Sequence, residues 1–354
     1  MKSPEGVTCP GELTAAAQAL RAAGRVAVVG HVNPEPDCIG STLGATLVLR
    51  EAGAQAQPFN ADPVPEYLRF LPGAEEIVRA DRLPDGVGVV LVVDSSDPER
   101  VGGLLRPVPP GARVVNVDHH QSNTRFGDVN WVEPQASSAG EMVWRLAGAL
   151  GARVTPAIAV NLLAAIMGDT GSFRFANASP SSLRAAAALV EAGARPDVVA
   201  GSLYGSKRPE ELRLLVETLG TMGLCADGAV AWIDVTQAVL ARAGLTLDDT
   251  EGFIEYPRSL RGVEVALAFK EAGPASTKVS LRSRGRVDVA ALAGRFGGGG
   301  HRNAAGFTLA LPLAEARPVV LGAAAQTVAE IPGATGEPRP AAEMPGAAAG
   351  SGPR

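Results

Sequence analysis

Apolar runs and polar clusters follow one another along this chain in a repeating order. Residues 11–24 carry helically spaced apolar positions ending at Gly24, and RVAVVG (25–30) is a short apolar run closed by glycine, as in a strand buried on both faces. A second helical stretch at 39–53 closes at Gly53, and AQAQPFN reads as the next strand. VGVVLVVDSSD is the most strand-like segment, and ARVVNVDHH repeats its pattern. Helices are expected at about 137–151 and 156–168, the second running into MGDTGSF. Strands alternating with helices predict an α/β domain on a doubly wound, mostly parallel sheet. Ligands of such sheets sit beyond the carboxyl ends of the strands. Most of the polar clusters of this chain fall at those ends.

The pattern then changes. SSLRAAAALVEAGA and PEELRLLVETLGTM are helical and are separated by a break at GSKRPE. This divides the chain into a first domain over 1–190, a helical connector over 191–224 and a smaller α/β domain over 225–330, with a cleft expected between the two domains. In the smaller domain AVAWIDV is a strand, 236–258 is largely helical, and VEVALAFKE with TKVSLRS can form a hairpin. VDVAALAGRF is a short helix leading into GGGGHRNAAGF. Residues 331–354 are rich in Pro, Gly and Ala and are expected to be a disordered tail.

Composition narrows the possibilities. With 354 residues, 46% of them hydrophobic, the chain is long enough for two cores. A net charge of −5 gives no global basic field for long nucleic acid, so any bound polyanion must meet a local site. Cys9, Cys38 and Cys225 are scattered and form neither a disulfide framework nor a zinc ribbon. The first residues lack an apolar signal core, and no apolar run approaches the ~20 residues that span a membrane. A reduced cytoplasm is the expected compartment.

The histidines carry the chemistry. There are four, His31, His119, His120 and His301, and each lies in a polar or glycine-rich cluster. A lone buried histidine is usually structural, Asp94 could cap a turn, and Asp169 could do the same before Thr170 and Gly171. Their joint position changes that reading. His31, Glu35, Asp37, Asp94, His119 and Asp169 supply two imidazoles and four carboxylates with no thiolate, a set suited to Mn²⁺ or Mg²⁺. Six donors exceed what one catalytic ion with open positions needs, and suit two ions sharing a carboxylate, an arrangement that attacks phosphate esters.

These segments resemble the motifs of the DHH phosphoesterase superfamily: HVNPEPDCIGS the first, VVDSSD the second, VDHHQSN the third and GDTGSF the fourth. GGGGHRNAAGF is similar to the glycine-rich motif of the DHH-associated C-terminal domain, and together with VSLRS it resembles the NrnA-type nanoRNase/pAp-phosphatase subfamily. The resemblance implies that His31, Glu35 and Asp94 hold one metal and that Asp37, Asp94, His119 and Asp169 hold the other, with Asp94 bridging. It further implies that His120 faces the scissile phosphate and that Asp118 orients the histidines. Glu35 stands where the family usually has Asp, and Pro36 where it has Gly.

Arg282, Ser283, Gly298, Gly299, Gly300, His301 and Asn303 are the expected substrate-binding residues, because glycines let backbone amides approach an anion and a guanidinium forks onto phosphate. The implied substrates are short RNA, cleaved to mononucleotides, and 3′-phosphoadenosine 5′-phosphate, attacked by water activated between two Mn²⁺ or Mg²⁺ ions. A cyclic-dinucleotide phosphodiesterase and a nucleotide-binding regulator with a defective first metal site are the alternatives. Homodimerisation is common in the resembled family, though no segment locates an interface.

Overall fold

The computed structural model describes residues 11–205 and 207–330, so Cys9 and the expected tail lie outside the described residues. The chain divides into two compact units, Met1–Lys207 and Arg208–Arg354.

The first unit is built on six strands: β1 (Arg25–Val29), β2 (Gln55–Asn60), β3 (Val78–Arg79), β4 (Val89–Val93), β5 (Arg113–Asp118) and β6 (Val129–Val132). They lie in the order β3-β2-β1-β4-β5-β6, and every neighbouring pair is parallel. The central strands β1 and β4 are apolar beyond their first residue because both of their faces are covered. Val26, Val28, Leu91 and Val115 face the helices, in one core with α1 (Gly11–Arg21), α2 (Pro36–Glu51), α3 (Ala139–Leu150) and α4 (Pro156–Asp169). Two further helices, α5 (Pro180–Glu191) and α6 (Pro196–Tyr204), contribute Leu189 and Leu203 to that same core. On the other face Val29, Val90 and Val92 pack beneath Leu83, Val87, Val101 and Leu104, which belong to loops and a short 3₁₀ turn.

Small residues draw α2, α3 and α4 together. A Cβ at Gly40 would press on the Asn161 carbonyl, one at Gly44 on Leu162, and one at Gly140 on Ala165. This close approach brings the N-termini of α2 and α3 beside the C-terminus of α4, where the polar clusters lie.

The second unit carries α7 (Pro209–Leu219) and a six-stranded sheet: β7 (Gly223–Cys225), β8 (Val230–Val235), β9 (Val265–Gly273), β10 (Ser276–Ser283), β11 (Gly299–His301) and β12 (Ala304–Leu309). Its order is β11-β12-β10-β9-β8-β7, antiparallel except for the β8–β9 pair. Leu267, Phe269, Val279 and Leu281 form one core with α10 (Val289–Gly294) and α11 (Leu313–Ala329). Ala231, Ile233, Ala266 and Ala268 form another on the opposite face, with α7 and α8 (Gln237–Ala243).

The expected helices and the 263–283 hairpin are present, and three features differ. Helix α2 starts at Pro36 rather than at 39, because Glu35 caps it and Pro36 fits the first helical turn. The 236–258 stretch is α8, a 3₁₀ turn at Leu247–Thr250 and the short α9 (Glu255–Ser259). Part of the glycine run is strand β11, paired with β12.

Candidate active site

Each metal-ligand candidate of the first unit is delivered by the end of a strand or helix. Asp94 follows β4 and adopts a positive φ of 57°, a conformation that Asp reaches more readily than most residues but that still stores strain of about 1–3 kcal/mol. Its amide donates to the Val117 carbonyl at 3.0 Å, so the end of β5 holds it in place. From there Oδ2 lies 3.3 Å from His31 Nε2, and Oδ1 lies 3.3 Å from His119 Nε2.

His31 and His119 are oriented alike. Nδ1 of His31 is 2.8 Å from the Val32 carbonyl, and Nδ1 of His119 is 3.3 Å from the Ala136 carbonyl. A carbonyl only accepts, so each ring carries its proton on Nδ1 and turns Nε2 toward the carboxylates. His119 Nε2 also lies 3.2 Å from Asp169 Oδ2 and 3.6 Å from Asp37 Oδ2. His31 Nε2 is 3.7 Å from Glu35 Oε1.

The two carboxylates of HVNPEPD are set by helix ends. Asp37, fully buried, accepts from the Ala139 amide at 2.7 Å and the Gly140 amide at 2.9 Å, at the start of α3. Glu35 accepts from the amides of Asp37 at 3.0 Å and Cys38 at 2.7 Å. The opening loop therefore turns into helix before Asp37, and the extra methylene of Glu35 lets one carboxylate cap α2 while also approaching His31. Donor atoms of His31, Glu35 and Asp94 lie within 4.8 Å of one another, and so do those of Asp37, His119 and Asp169.

The electrostatics fit a cation. Burial, then the charges of Asp94 and Asp169, push the Asp37 carboxyl well above the carboxylate range. Burial likewise pushes Asp169 up to about 8, His119 opposing the shift and Glu35 and Asp94 adding to it. Burial would raise Asp94 too, but hydrogen bonds from His119 and His31 hold it well below that range. Burial disfavours the charged His119 ring, yet Asp94 and Asp169 hold its pKa well above the ordinary imidazole value. Crowded carboxylates that compete for protons are the setting in which a divalent ion replaces those protons.

Asp118 and His120 form a pair beside Asp94, whose Oδ1 lies 3.7 Å from His120 Nδ1. His120 Nδ1 lies 2.7 Å from Asp118 Oδ1, and Asn123 donates to Asp118 Oδ2 at 2.6 Å. The Asn123 amide also reaches Asn116 Oδ1 and the Ser95 carbonyl, which ties this carboxylate to β5 and to the loop after β4. Nε2 of His120 lies 3.0 Å from Arg100 Nη1. A guanidinium can only donate, so His120 accepts there and carries its proton on Nδ1. Arg100 is a residue that the sequence reading passed over. Its signal was its place in DSSDPER, where Asp97 and Pro98 start the 3₁₀ turn that carries it.

In the second unit the expected binding residues divide. Arg282 and Ser283 are neighbours on β10 and so point to opposite faces. Ser283 is buried and its hydroxyl donates to the Arg302 carbonyl and Asn303 Oδ1, so it supports the turn at 302–303. Arg282 is half-buried on the other face, 3.7 Å from Glu255 Oε1. A Cβ at Gly298 would meet Phe307 and one at Gly300 would meet Ala304, so strand pairing requires both glycines. Gly299 is exposed with open space beside it, and His301 pairs with Ala304 at the end of β11.

A parallel sheet with two imidazoles and four carboxylates gathered at its strand ends and at the ends of α2 and α4 is the arrangement of a metal-dependent phosphoesterase. The sequence matches the DHH family, N-terminal domain, over residues 25–166 and the DHHA1 domain over 233–330, and the chain belongs to the DHH family. It is 38% identical to the bifunctional oligoribonuclease and PAP phosphatase NrnA of Thermus thermophilus, across 83% of this chain and 87% of that one. It is 28% identical to the Bacillus subtilis protein of the same name, across 79% and 87%. The crystal structure of an exopolyphosphatase-related protein from Bacteroides fragilis matches with a TM-score of 0.81 and 26% identity, covering 88% of this chain and 95% of that one. Among the described residues no helix is long and apolar enough to cross a membrane.

Proposed function

We propose that this chain hydrolyses short oligoribonucleotides to mononucleotides and removes a phosphate from 3′-phosphoadenosine 5′-phosphate. The observation that carries the mechanism is Asp94, whose two oxygens each lie 3.3 Å from the Nε2 atom of a different histidine. His31, Glu35 and Asp94 would hold one divalent cation, and Asp37, Asp94, His119 and Asp169 a second, Mn²⁺ or Mg²⁺ by the oxygen-rich donor set. When bound, the cations supply Lewis acidity toward phosphoryl oxygens and lower the pKa of water.

The protein's own groups then have distinct tasks. The carbonyls of Val32 and Ala136 fix the tautomers of His31 and His119. The start of α3 holds Asp37 in a single orientation through two amides. Asp118 and Arg100 grip His120 from opposite sides, which places a guanidinium and an imidazole together beside the acidic groups. Positive charge there suits a phosphoryl group that gains charge as it reacts. In the second unit Arg282, Gly299 and His301 are the groups proposed for the substrate's other end. Free Cys38 and Cys225 accord with a reducing cytoplasm.

Product analysis of the full chain with Mn²⁺ on pApA, a longer RNA and 3′-phosphoadenosine 5′-phosphate tests the reading. Release of AMP from pApA and from the bisphosphate, with little attack on the longer RNA, is expected. Cleavage of the long RNA at a comparable rate, or inertness toward both small substrates, would overturn it.

A further inference from the structure

The chain from Ala136 to Gly140, which leads into α3, serves Asp37 and His119 at once. The Ala136 carbonyl lies 3.3 Å from His119 Nδ1, and the amides of Ala139 and Gly140 hold the Asp37 carboxylate at 2.7 and 2.9 Å. Ser137 and Ser138, between these contacts, are fully buried. The amide and hydroxyl of Ser137 both donate to Glu141 Oε2, at 2.9 and 2.7 Å, and the Ser138 hydroxyl accepts from the Glu141 amide at 3.1 Å. Glu141 is buried in turn, and its Oε1 accepts from the Ser181 hydroxyl at 2.6 Å, in the first turn of α5. The Ser137 carbonyl is taken by Asn177. Nδ2 of Asn177 donates to it at 3.0 Å and to the Asp169 carbonyl, also at 3.0 Å.

Asn177 is an unusual choice for such a tie. Its Oδ1 is buried and accepts no hydrogen bond among the described residues. Turning the amide over would not help, because both neighbours of Nδ2 are carbonyls and a carbonyl only accepts. A primary amide is the neutral group that offers two hydrogens from one atom, so this side chain keeps both carbonyls at the cost of its own acceptor. The route to it is strained as well. Gly171, Ser172 and Phe173 follow one another at φ of 55°, 56° and 65°, a conformation unfavourable for the two that carry side chains. That turn reverses the chain after α4 and returns Asn177 to the backbone of Asp169, eight residues earlier. The amide thus joins the end of α4, which carries Asp169, to the loop that orients Asp37 and His119.

We propose that Asn177 is a positioning residue, which fixes Asp169 against Asp37 and His119 and thereby sets the affinity of one cation independently of the other. This deepens the hydrolase reading and rests on it for the identity of the metal ligands. Selectivity follows from what Asn177 does not touch. His31 is oriented by the Val32 carbonyl, and Glu35 by the amides of Asp37 and Cys38. Neither support runs through Ser137 or the Asp169 carbonyl. Loss of the amide should therefore loosen Asp37, His119 and Asp169 as a set and leave His31 and Glu35 as they are.

The test uses the full chain and the variants Asn177→Ala and Asn177→Ser, whose hydroxyl can donate to one carbonyl at most. Calorimetric titration with Mn²⁺ reads both cations without turnover. In Asn177→Ala one site should weaken about 10–100-fold, the usual cost of losing a group that orients a ligand, and in Asn177→Ser by less. The weakened site should be the one that Asp169→Asn also weakens, with the other site unchanged. The ¹⁵N signals of the histidine rings in EDTA give a second readout, free of metal. Those of His119 should move in Asn177→Ala, and those of His31 should not. An equal loss at both sites overturns the proposal, because it would mark a general loosening. A lowered Tm with both affinities and the His119 signals unchanged overturns it too, and makes Asn177 a structural residue. If the wild type binds fewer than two Mn²⁺ ions, the two-cation reading fails and the His119 signals alone decide the positioning role. If neither variant folds, the tie is a condition of folding and the proposal falls.

Discussion

Asp94 presents one carboxylate oxygen to His31 and the other to His119, each at 3.3 Å, from a backbone held at a φ of 57°. The same residue thus joins two donor clusters that would otherwise be separate. Asn is the informative replacement, because it tolerates the left-handed conformation about as well as Asp while lacking the charge. Asp94→Asn should leave the melting temperature in EDTA within a few degrees of wild type. It should lower turnover by roughly a thousandfold, the scale of losing a group that organises transition-state charge. Metal content measured alongside should fall below that of wild type. Retention of a tenth of the activity with full metal content would refute the bridging role.

Glu35 serves two ends at once, the amides of Asp37 and Cys38 on one side and His31 on the other. Three substitutions separate them. Glu35→Ala removes the cap and the charge, and should lower stability in EDTA by about 1 kcal/mol, the usual worth of an N-cap. Glu35→Gln keeps an acceptor for the cap, so its stability should stay near wild type while its Mn²⁺ requirement rises. Glu35→Asp keeps the charge and, as Asp is a good N-cap, should stay active with an altered Mn²⁺ affinity. Activity titrated with Mn²⁺ in the four proteins checks this, and a Gln variant with wild-type metal dependence would reduce Glu35 to a cap.

Arg100 touches His120 Nε2 at 3.0 Å while Asp118 holds Nδ1 at 2.7 Å. Arg100 is a positioning residue by this geometry. Arg100→Met should lower kcat about 10–100-fold, in the range for groups that orient a catalytic or ligating side chain. The distinguishing readout is the ¹⁵N spectrum of His120. With the guanidinium gone, Nε2 loses its donor and its nitrogen shift should move, whereas His31 and His119 should not change. A kcat loss with an unmoved His120 signal would mean that Arg100 acts by another route.

The legibility of this chain in its sequence was uneven for physical reasons. Strands β1 and β4 were plain because burial on both faces demands apolar runs, and β5 because its three valines are broken only by Asn116 before the strand ends at Asp118. The edge strand β6 and the two-residue β3 were not picked out, since partly exposed pairing leaves little periodicity in VNWV or VR. The histidines and acidic residues stood out because a chain with four histidines had spent every one in a polar or glycine-rich cluster. Arg100 did not, because an arginine after a proline is unremarkable until the fold brings it to His120. Ser283 looked like a phosphate ligand beside Arg282, and only strand alternation shows that its hydroxyl serves Asn303.

The last prediction concerns protons at the acidic cluster. Burial, opposed by His119 and aided by Glu35 and Asp94, sets the Asp169 carboxyl at about 8 against an ordinary value of 3.8. The folded chain therefore binds a proton there that the unfolded chain has already lost at neutral pH. By linkage, the stability this group contributes is full below about pH 4 and is lost as the pH rises toward 8. A cation at Asp37, His119 and Asp169 must displace that proton, so metal binding should release protons near neutrality. Two measurements check the sign. Without metal, raising the pH from 6 to 8.5 should lower the Tm, and Asp169→Asn should flatten that fall. Mn²⁺ titrations in two buffers of different ionisation enthalpy should report net proton release at pH 7, reduced in Asp169→Asn. Proton uptake on binding, or a metal-induced gain in Tm that shrinks as the pH rises, would show that Asp169 does not hold a proton for a cation to displace.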